Sequence, residues 1–390
     1  MHQISAVPVY GDTHVRELVS LCSAGDLAPG VLQKTRDVEA WRGIIDVGVS
    51  HGLIGPLYLA TADCDAVPPP VLDALRGAYV AQAVRNFQLS TALTDVMSAF
   101  RASRVDVLVM KGPAVALLAY DQIAIREFTD LDLLIHPDDL AAAREALARL
   151  GFRQDSDCQP TRLGEKDVLF TRDSDDILVE LHWAVTPRSL HFPLDLSGIW
   201  ERKQCLKFRT AEIPTLGLED TILTLCIHGS KHGWSCLKWI HDVASLIARK
   251  QDEIEWALLL ERSKSAGCQR TLLASLLLAA ELFKITPSST VVSDLMNTDL
   301  IRRLAQMASV PLLANTEMTQ RQFVTFQIEG HDRLLDRFFV AVSLPVTELP
   351  RLLPKAAAPV TLGPLRFLTR PLRLLKIYGL SWFRSVVFGK

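Results

Sequence analysis

Residues 126–135 read REFTDLDLLI, and Asp130 and Asp132 stand at the start of the apolar, strand-like part of this segment. Side chains at positions i and i+2 of a strand point to the same face, so the two carboxylates are predicted to lie side by side. Adjacent carboxylates repel each other unless a cation neutralises them, and oxygen ligands at this spacing suit Mg²⁺. An isolated Asp-x-Asp also occurs as two solvated acids in a loop, so its meaning depends on the neighbouring segments.

The segments on both sides of the aspartates favour a site on a sheet. Upstream, VDVLVM at 105–110 predicts a buried strand, and Lys111 and Gly112 follow it in a turn whose backbone N–H groups can face a phosphate. Downstream, ILVEL at 177–181 predicts a second apolar strand, in which Glu180 would be costly to bury without a cation. The two aspartates and Glu180 are therefore the candidate metal ligands.

The order of predicted elements is that of a small α/β domain with a mixed sheet of about four or five strands. A proline triplet at 68–70 is expected to stop any helix before it, because proline lacks the backbone N–H and clashes inside a helix. The elements predicted after it are a helix at 71–103, a strand at 105–110, a helix at 114–120, a strand at 131–135, a helix at 138–150, a return strand from 151, and a hairpin of 167–172 with 177–183.

The whole chain is predicted to be an α+β protein with more than one core, since 390 residues exceed an ordinary single domain. Its predicted parts are an N-terminal helical segment at 1–70, the α/β domain at 71–210, a helical domain at 211–344, and a proline-punctuated linker with a basic amphipathic tail at 345–390.

Three stretches of the chain resemble a known family. They are LVMKGPAVALLAYDQIAIREFTDLDLLIHPDDL at 108–140, VELHW at 179–183 and LEDTILTLCIHGSKHGWSCLKWIHDVASLI at 218–247. Together they resemble the bacterial family of uncharacterised nucleotidyltransferases, within the polymerase-β-like nucleotidyltransferase superfamily. The resemblance implies a small mixed β-sheet nucleotidyltransferase domain with flanking helices, and an α-helical C-terminal domain beside it. It also implies transfer of a nucleoside monophosphate from an NTP, with ATP expected, to a hydroxyl- or phosphate-bearing acceptor such as a small molecule, a peptide natural product, a sugar or an RNA end.

The same resemblance implies roles for individual residues. Asp130 and Asp132 would bridge two Mg²⁺ (or Mn²⁺) ions, and Glu180 would hold the ion that activates the acceptor. The superfamily usually has Gly-Ser or Gly-Gly at the phosphate turn, whereas this chain has KGP at 111–113, in which the proline removes an N–H donor. Lys111 and Gly112 are nevertheless expected to contact the triphosphate. Arg126 is a second phosphate candidate, and the alternative for it is a surface arginine.

A histidine cluster follows in the predicted helical domain. His228 and His232 are one helical turn apart, but the glutamate of a zinc-hydrolase motif is missing between them. We expect His228, Lys231 and His232 to line the nucleotide or acceptor cleft, with a purely structural role as the alternative. His182 faces the same side as Glu180 and either touches the site or fills the core. Trp234 and Trp239 are expected to fill the core.

Composition indicates where in the cell the protein is expected. No apolar run is long enough to span a bilayer, and the first residues lack the layout of a secretory signal. Seven cysteines without a CxxC spacing indicate reduced thiols in a cytoplasmic protein.

The charge is unevenly distributed along the chain. Eight of the 42 basic residues follow Glu348, and none of the 44 acidic residues does. A basic stripe with aromatic residues at 365–390 predicts binding to an anionic membrane surface, which would place the protein at the inner face of the membrane. A tail docked on the body is the alternative, and RNA binding is a smaller one. Because the rest of the chain is acidic, nucleic acid is an unlikely partner for the body.

Two further functions stay open at this point. One is a non-catalytic nucleotide sensor or scaffold, which the intact set of Asp130, Asp132 and Glu180 disfavours. The other is a toxin-like nucleotidyltransferase that modifies tRNA, which the acidic body disfavours.

Overall fold

The computed structural model describes residues 12–23, 38–154, 166–186, 190, 192–208, 211–347 and 386–387. Nearly all of the predicted linker and basic tail lies outside the described residues. Val386 and Val387 are described, and both are buried against the helical core. The membrane-binding tail therefore stays a prediction, and these two contacts favour its docked alternative.

One mixed sheet carries the candidate carboxylates. Among the described residues its strand order is β3-β4-β5-β2-β1-β7-β6. The strands are β1 (Val107–Val109), β2 (Asp130–Ile135), β3 (Arg153–Gln154), β4 (Asp167–Arg172), β5 (Ile177–His182), β6 (Gln204–Phe208) and β7 (Ala211–Thr215). The predicted α+β class is confirmed.

The sheet is wider than the four or five predicted strands because of the hairpin of β6 and β7. This hairpin lies at the edge of the sheet, and the residues of β6 are mostly exposed or half-buried, so its sequence lacks the apolar signal of a central strand. Strand β7 pairs with β1 in the sheet, which therefore continues past the boundary expected at residue 210.

Alternation along the central strands separates an apolar face from a polar one. Leu131, Leu133 and Ile135 of β2 lie in a core formed with the helices α4 and α6, whereas Asp130 and Asp132 point to the opposite face. The period of two that was read from the sequence is the physical reason, since successive side chains of a strand leave on opposite sides.

Helices surround the sheet and form a second core. The helices among the described residues are α1 (Asp12–Leu21), α2 (Val38–Ser50), α3 (Ile54–Thr61), α4 (Pro69–Ala102), α5 (Pro113–Tyr120), α6 (Leu140–Arg149), α7 (Leu196–Glu201), α8 (Leu218–Lys231), α9 (Leu237–Lys250), α10 (Trp256–Ser265), α11 (Gln269–Phe283), α12 (Thr290–Met296), α13 (Asp299–Leu313), α14 (Gln320–Glu329) and α15 (Leu334–Thr347). A 3₁₀ turn, Pro137–Asp139, precedes α6.

The N-terminal and C-terminal helices share one apolar core. Leu18 of α1 and Trp41 of α2 are buried in the same cluster as Leu272 of α11 and Leu304 of α13. The first helices therefore pack on the helical domain and not on the sheet alone.

The proline triplet has a different role from the expected stop. Helix α4 begins at Pro69, with Pro68 as its N-cap residue. Proline is compatible with the first turn of a helix, where its missing N–H would be unpaired anyway. In the part of the chain that the structure describes, no helix is long and apolar enough to cross a membrane.

Candidate active site

The three candidate carboxylates meet on the polar face of the sheet. Asp130 and Asp132 lie on β2 and Glu180 lies on β5, and the parallel register of these strands pairs Asp132 with Glu180. Asp132 is buried, with 2% of its surface exposed, whereas Asp130 and Glu180 are half-buried. All three border a cavity of about 400 Å³ between the sheet and the helices α8 and α9. The structure thus brings together the three acids that the sequence singled out.

Asp132 is held by two donors through one carboxylate oxygen. The Lys111 ammonium lies 2.7 Å from its Oδ1, and Nε2 of His182 lies 3.1 Å from the same atom. Burial by itself would raise the pKa of Asp132, but the charge of Lys111 and the hydrogen bonds from both donors lower that pKa well below its usual range. Asp132 is therefore ionised, and neither contact uses its Oδ2.

Asp130 has the opposite electrostatic environment. Burial, together with the negative charges of Asp132 and Glu180, raises the pKa of Asp130 to about 6. The hydrogen bond from His182 instead lowers the pKa of Glu180 against the effect of burial. Neighbouring negative charges cost free energy unless a cation offsets them, so the three acids favour a bound cation.

His182 is oriented by Lys166. The Lys166 ammonium lies 2.8 Å from Nδ1 of His182 and also contacts the carboxylate of Asp167. An ammonium can only donate, so Nδ1 accepts and Nε2 carries the ring proton. His182 donates that proton to Asp132. It therefore acts as a donor that fixes the orientation of Asp132.

The donor set fits a divalent cation. One ligand atom each of Asp132, Glu180 and His182 lies within 4.8 Å of the others. Because Nε2 of His182 carries a proton, the carboxylates of Asp132 and Glu180 are the better ligands of this group, and Asp130 borders the same cavity. Hard oxygen donors of this kind select Mg²⁺ or Mn²⁺ over softer ions.

Gly112 shapes the turn between β1 and α5. Its φ of +56° lies in the left-handed region, and a Cβ at this position would meet the carbonyl oxygen of Asp130 at 3.3 Å. Pro113 is the first residue of α5, where its missing N–H costs little. Lys111 turns towards the acids. Burial disfavours its charge, but Asp132 above all raises the pKa of Lys111.

Helix α8 presents the predicted histidines to the cavity. Nδ1 of His228 lies 3.5 Å from Nζ of Lys111, and the rings of His228 and His232 meet edge to face at 4.9 Å. Trp239 of α9 completes this wall, with ring centroids 5.4 Å from His228 and 5.0 Å from His232. Trp239 therefore lines the cavity and also packs against the helical core, and Trp234 is buried in that core as expected.

Lys231 brings a positive charge to the cavity without an ion pair from the described residues. Burial and the nearby charge of Lys166 lower the pKa of Lys231. An anionic ligand would relieve both effects, because a charged hydrogen bond favours the protonated amine.

A family model described as "Uncharacterised nucleotidyltransferase" matches residues 37–284. The chain belongs to this nucleotidyltransferase family. The match covers well over half of the chain and includes all of the candidate ligands, so the resemblance read from the sequence is confirmed. The protein is a transferase of nucleotidyl groups, and an NTP is its substrate class.

Two solved structures are similar to parts of this nucleotidyltransferase. The antibiotic-resistance factor ANT(2'')-Ia has 12% sequence identity and a TM-score of 0.35, over 46% of this chain and 93% of its own. An antigenic nucleotidyltransferase-like protein from Paracoccidioides brasiliensis has 18% identity and a TM-score of 0.31, over 50% of this chain and 97% of its own. Similarities this distant say nothing about the substrates. A search of the curated proteins finds no match.

Arg126 of the nucleotidyltransferase is neither exposed nor free. It borders the cavity, but its Nε and Nη2 donate to the carboxylate of Asp242 at 2.9–3.0 Å, and Tyr120 donates to the same carboxylate. Both partners of the ion pair are buried. Because Nη1 also donates to the carbonyl oxygen of Glu127, all three guanidinium nitrogens are engaged, and this geometry favours a structural role for Arg126 over the predicted phosphate contact.

Several residues that line the cavity of the nucleotidyltransferase were not predicted from its sequence. Lys166 and Asp167 lie beside His182, and Lys238 pairs with Glu127 at 3.1 Å. One signal was available, since the hairpin turn at 173–176 sets a register in which Asp167 lies opposite His182. No comparable signal marks Lys238, because its position depends on how α9 packs on the sheet.

Proposed function

We propose that this nucleotidyltransferase moves a nucleoside monophosphate from an NTP, with ATP as the expected donor, to a hydroxyl- or phosphate-bearing acceptor, and that it requires Mg²⁺ (or Mn²⁺). The observation that carries the proposal is the convergence of Asp130, Asp132 and Glu180 in one cavity with Lys111 and Lys231. A metal–triphosphate complex carries both signs of charge, so it complements a cavity that is lined by both carboxylates and lysines.

The two aspartates and Glu180 would hold the metal. When bound, Mg²⁺ would offset the negative charge of the reacting phosphate and lower the pKa of an attacking hydroxyl. His182 fixes Asp132 before any substrate arrives, and Lys166 keeps His182 in the tautomer that donates. This preorganisation reduces the reorganisation that the chemical step would otherwise require.

The triphosphate is assigned to the lysines that line the cavity. Lys231 offers an ammonium that no carboxylate of the described residues neutralises, and Lys111 and Gly112 form the turn at the end of β1. His228 and His232 lie beside these cations and supply ring nitrogens for further hydrogen bonds. Glu180 is assigned to the acceptor side of the site.

A labelling experiment tests the proposal. Purified protein is incubated with each α-³²P-labelled NTP, Mg²⁺, and either the small-molecule or the macromolecular fraction of a cell extract, and the labelled product is isolated. We expect one NTP to label an acceptor, and Asp130→Asn to abolish the labelling. Asp138→Asn is the matched control, because Asp138 is an exposed aspartate in the turn just after β2. A folded wild-type protein that binds an NTP and labels nothing would contradict transfer and favour the nucleotide sensor.

Two expectations about location also stand as proposals. The scattered cysteines support a cytoplasmic protein. The basic residues of 365–390 support contact with an anionic membrane surface.

A further inference from the structure

Helix α15 presents large apolar side chains on its outer side. Four of them are exposed: Leu334 by 55%, Leu335 by 72%, Phe338 by 40% and Phe339 by 47%. At about 100° per residue these positions fall within an arc of about 140° around the helix axis, and the two phenylalanine rings meet edge to face with centroids 6.2 Å apart. The four residues, called the α15 patch below, therefore form one apolar surface.

The opposite side of α15 is buried and carries the charges of its first two turns. Asp336 and Arg337 are only 4% and 6% exposed, and Val340 and Ala341 beside them are fully buried. Nε of Arg337 donates to the carbonyl oxygen of His331 at 2.9 Å. A helix that packs on a globular body ordinarily turns its charges outward and its apolar side inward. In α15 the charges of residues 334–341 point inward, so the α15 patch has no charge within it.

The α15 patch also differs from the other exposed apolar residues of the protein. Single exposed apolar side chains are common on protein surfaces and need no explanation, whereas contiguous ones mark a contact with a partner or a membrane. Of the eleven large apolar residues that are exposed in the described part of the chain, four lie within six consecutive positions of α15. The α15 patch is therefore a candidate contact surface.

The chain that follows α15 is basic. The helix ends at Thr347, and the segment 349–390, called the basic segment below, contains eight basic residues and no acidic one. Near the end of this segment Val386 and Val387 are buried in the same apolar core as Val340 of α15. Neither of these two valines is charged, so their burial removes none of the eight charges. The α15 patch and an unbalanced positive charge are thus adjacent in the chain.

The size of the α15 patch distinguishes between partners. Four leucine and phenylalanine side chains that are about half exposed present roughly 400 Å². A stable protein–protein interface needs about 800 Å² per partner, so the α15 patch alone is too small to hold a second copy of the chain. An anionic membrane surface needs less apolar area, because attraction between basic residues and lipid charges adds to the apolar contact. The α15 patch and the basic segment supply these two contributions.

We propose that α15 docks on an anionic lipid surface, with the four side chains of the α15 patch at the boundary between headgroups and acyl chains and the basic segment beside them. This inference rests on the membrane contact proposed for residues 365–390. It assigns the apolar part of that contact to the folded body of the protein, and it is independent of nucleotidyl transfer.

Fluorescence quenching by lipid tests where the protein touches the membrane. The full chain is mixed with vesicles of phosphatidylcholine and phosphatidylserine whose acyl chains are brominated near the headgroup. Phe338→Trp places an indole in the α15 patch, and wild type, with its seven tryptophans, gives the background. We expect the brominated lipids to quench Phe338→Trp more strongly than wild type.

A double variant tests whether the α15 patch contributes to binding. Leu335→Gln combined with Phe339→Gln should weaken co-sedimentation with the same vesicles about tenfold or more, because two apolar side chains no longer leave water. The binding that wild type retains at high salt, where charge attraction is screened, should be lost. Phe87→Gln is the matched control, since Phe87 is a 41% exposed phenylalanine on α4, and it should change nothing. Thermal melts and NTP affinity check that each variant is folded.

The inference is overturned if the folded double variant binds vesicles like wild type, or if Phe338→Trp is quenched no more than wild type. Wild type would then still sediment with the vesicles when the basic segment alone makes the contact, whereas a wild type that ignores them removes the proposed membrane contact as well. A lower molecular mass of the double variant in analytical ultracentrifugation, with unchanged vesicle binding, would instead show that the α15 patch contacts a second copy of the chain. The labelling experiment separately decides nucleotidyl transfer.

Discussion

The hydrogen bond from His182 to Asp132 makes the sharpest prediction about the site. His182→Asn removes the Nε2 donor that lies 3.1 Å from Oδ1 of Asp132, while keeping a small polar side chain. A hydrogen bond to an ionised acceptor contributes about 1.5–3 kcal/mol, which corresponds to roughly a ten- to hundredfold change in an equilibrium. Residues that orient metal ligands cost roughly ten- to a hundredfold in metal affinity or activity when they are removed. We therefore expect a loss of this size in Mn²⁺ affinity and in turnover.

The assay is Mn²⁺ binding followed by electron paramagnetic resonance, with turnover measured from NTP labelling. His182→Gln should recover most of the affinity, because the glutamine amide nitrogen reaches the position of Nε2. His136→Asn is the matched control, since His136 lies just after β2, is exposed, and stacks on Trp200 at 4.0 Å. If His182→Gln is as impaired as His182→Asn, the ring is needed as a ligand and the donor role is refuted.

Lys166→Met tests whether the contact of Lys166 with His182 is needed to orient the His182 ring. Without the ammonium on Nδ1, the ring of His182 is free to adopt either tautomer or to turn. We expect a loss in Mn²⁺ affinity smaller than that of His182→Asn, and no further loss when the two substitutions are combined. Additive losses in the double variant would mean that Lys166 acts independently of His182.

Substitutions at three further residues and in the basic tail should each change a different measured property. Burial and like charges raise the pKa of Asp130 to about 6, so its ionisation destabilises the metal-free fold above that pH, and this cost disappears below its usual value near 4. Asp130→Asn should therefore raise the Tm at pH 7, with a gain that shrinks towards pH 4, and an unchanged Tm at pH 7 would contradict this. Lys231→Ala should weaken NTP binding by roughly tenfold or more in isothermal titration, and unchanged affinity would exclude a phosphate contact. Arg126→Met leaves the charge of Asp242 buried without its ion-pair partner, with the hydroxyl of Tyr120 still donating to it, so the substitution should cost about 3–5 kcal/mol in urea unfolding. A fall in NTP affinity without a loss of stability would restore the phosphate role. Replacing the basic residues of 365–390 by glutamine should reduce co-sedimentation with anionic vesicles at low salt, and a wild-type chain that ignores such vesicles would remove the membrane prediction.

Local periodicity was enough to predict the strands that carry the candidate carboxylates. The alternation in REFTDLDLLI predicted Asp130 and Asp132 on one face, and the hairpin around 173–176 predicted a later strand that carries Glu180 and His182. That this strand pairs with the strand of the aspartates was shown only by the structure. These inferences depend only on local sequence, because successive side chains of a strand point to opposite faces regardless of the tertiary structure. The hairpin of β6 and β7 was not predicted, because an edge hairpin with polar residues has a weak alternation of apolar and polar positions.

The sequence by itself singled out Asp130, Asp132 and Glu180 as candidate metal ligands, and it predicted that the two aspartates lie on one face of a strand. Only the tertiary structure decided what surrounds them. Arg126 and Asp242 are 116 residues apart in the sequence. Their buried ion pair occupies Arg126, which the sequence had suggested as a phosphate-binding residue. Thr224 and Lys231 border the same cavity as the aspartates only because α8 packs over the sheet. Such contacts depend on the relative placement of whole elements, which is set by the sum of many weak apolar contacts in the core and leaves no periodic trace in the sequence.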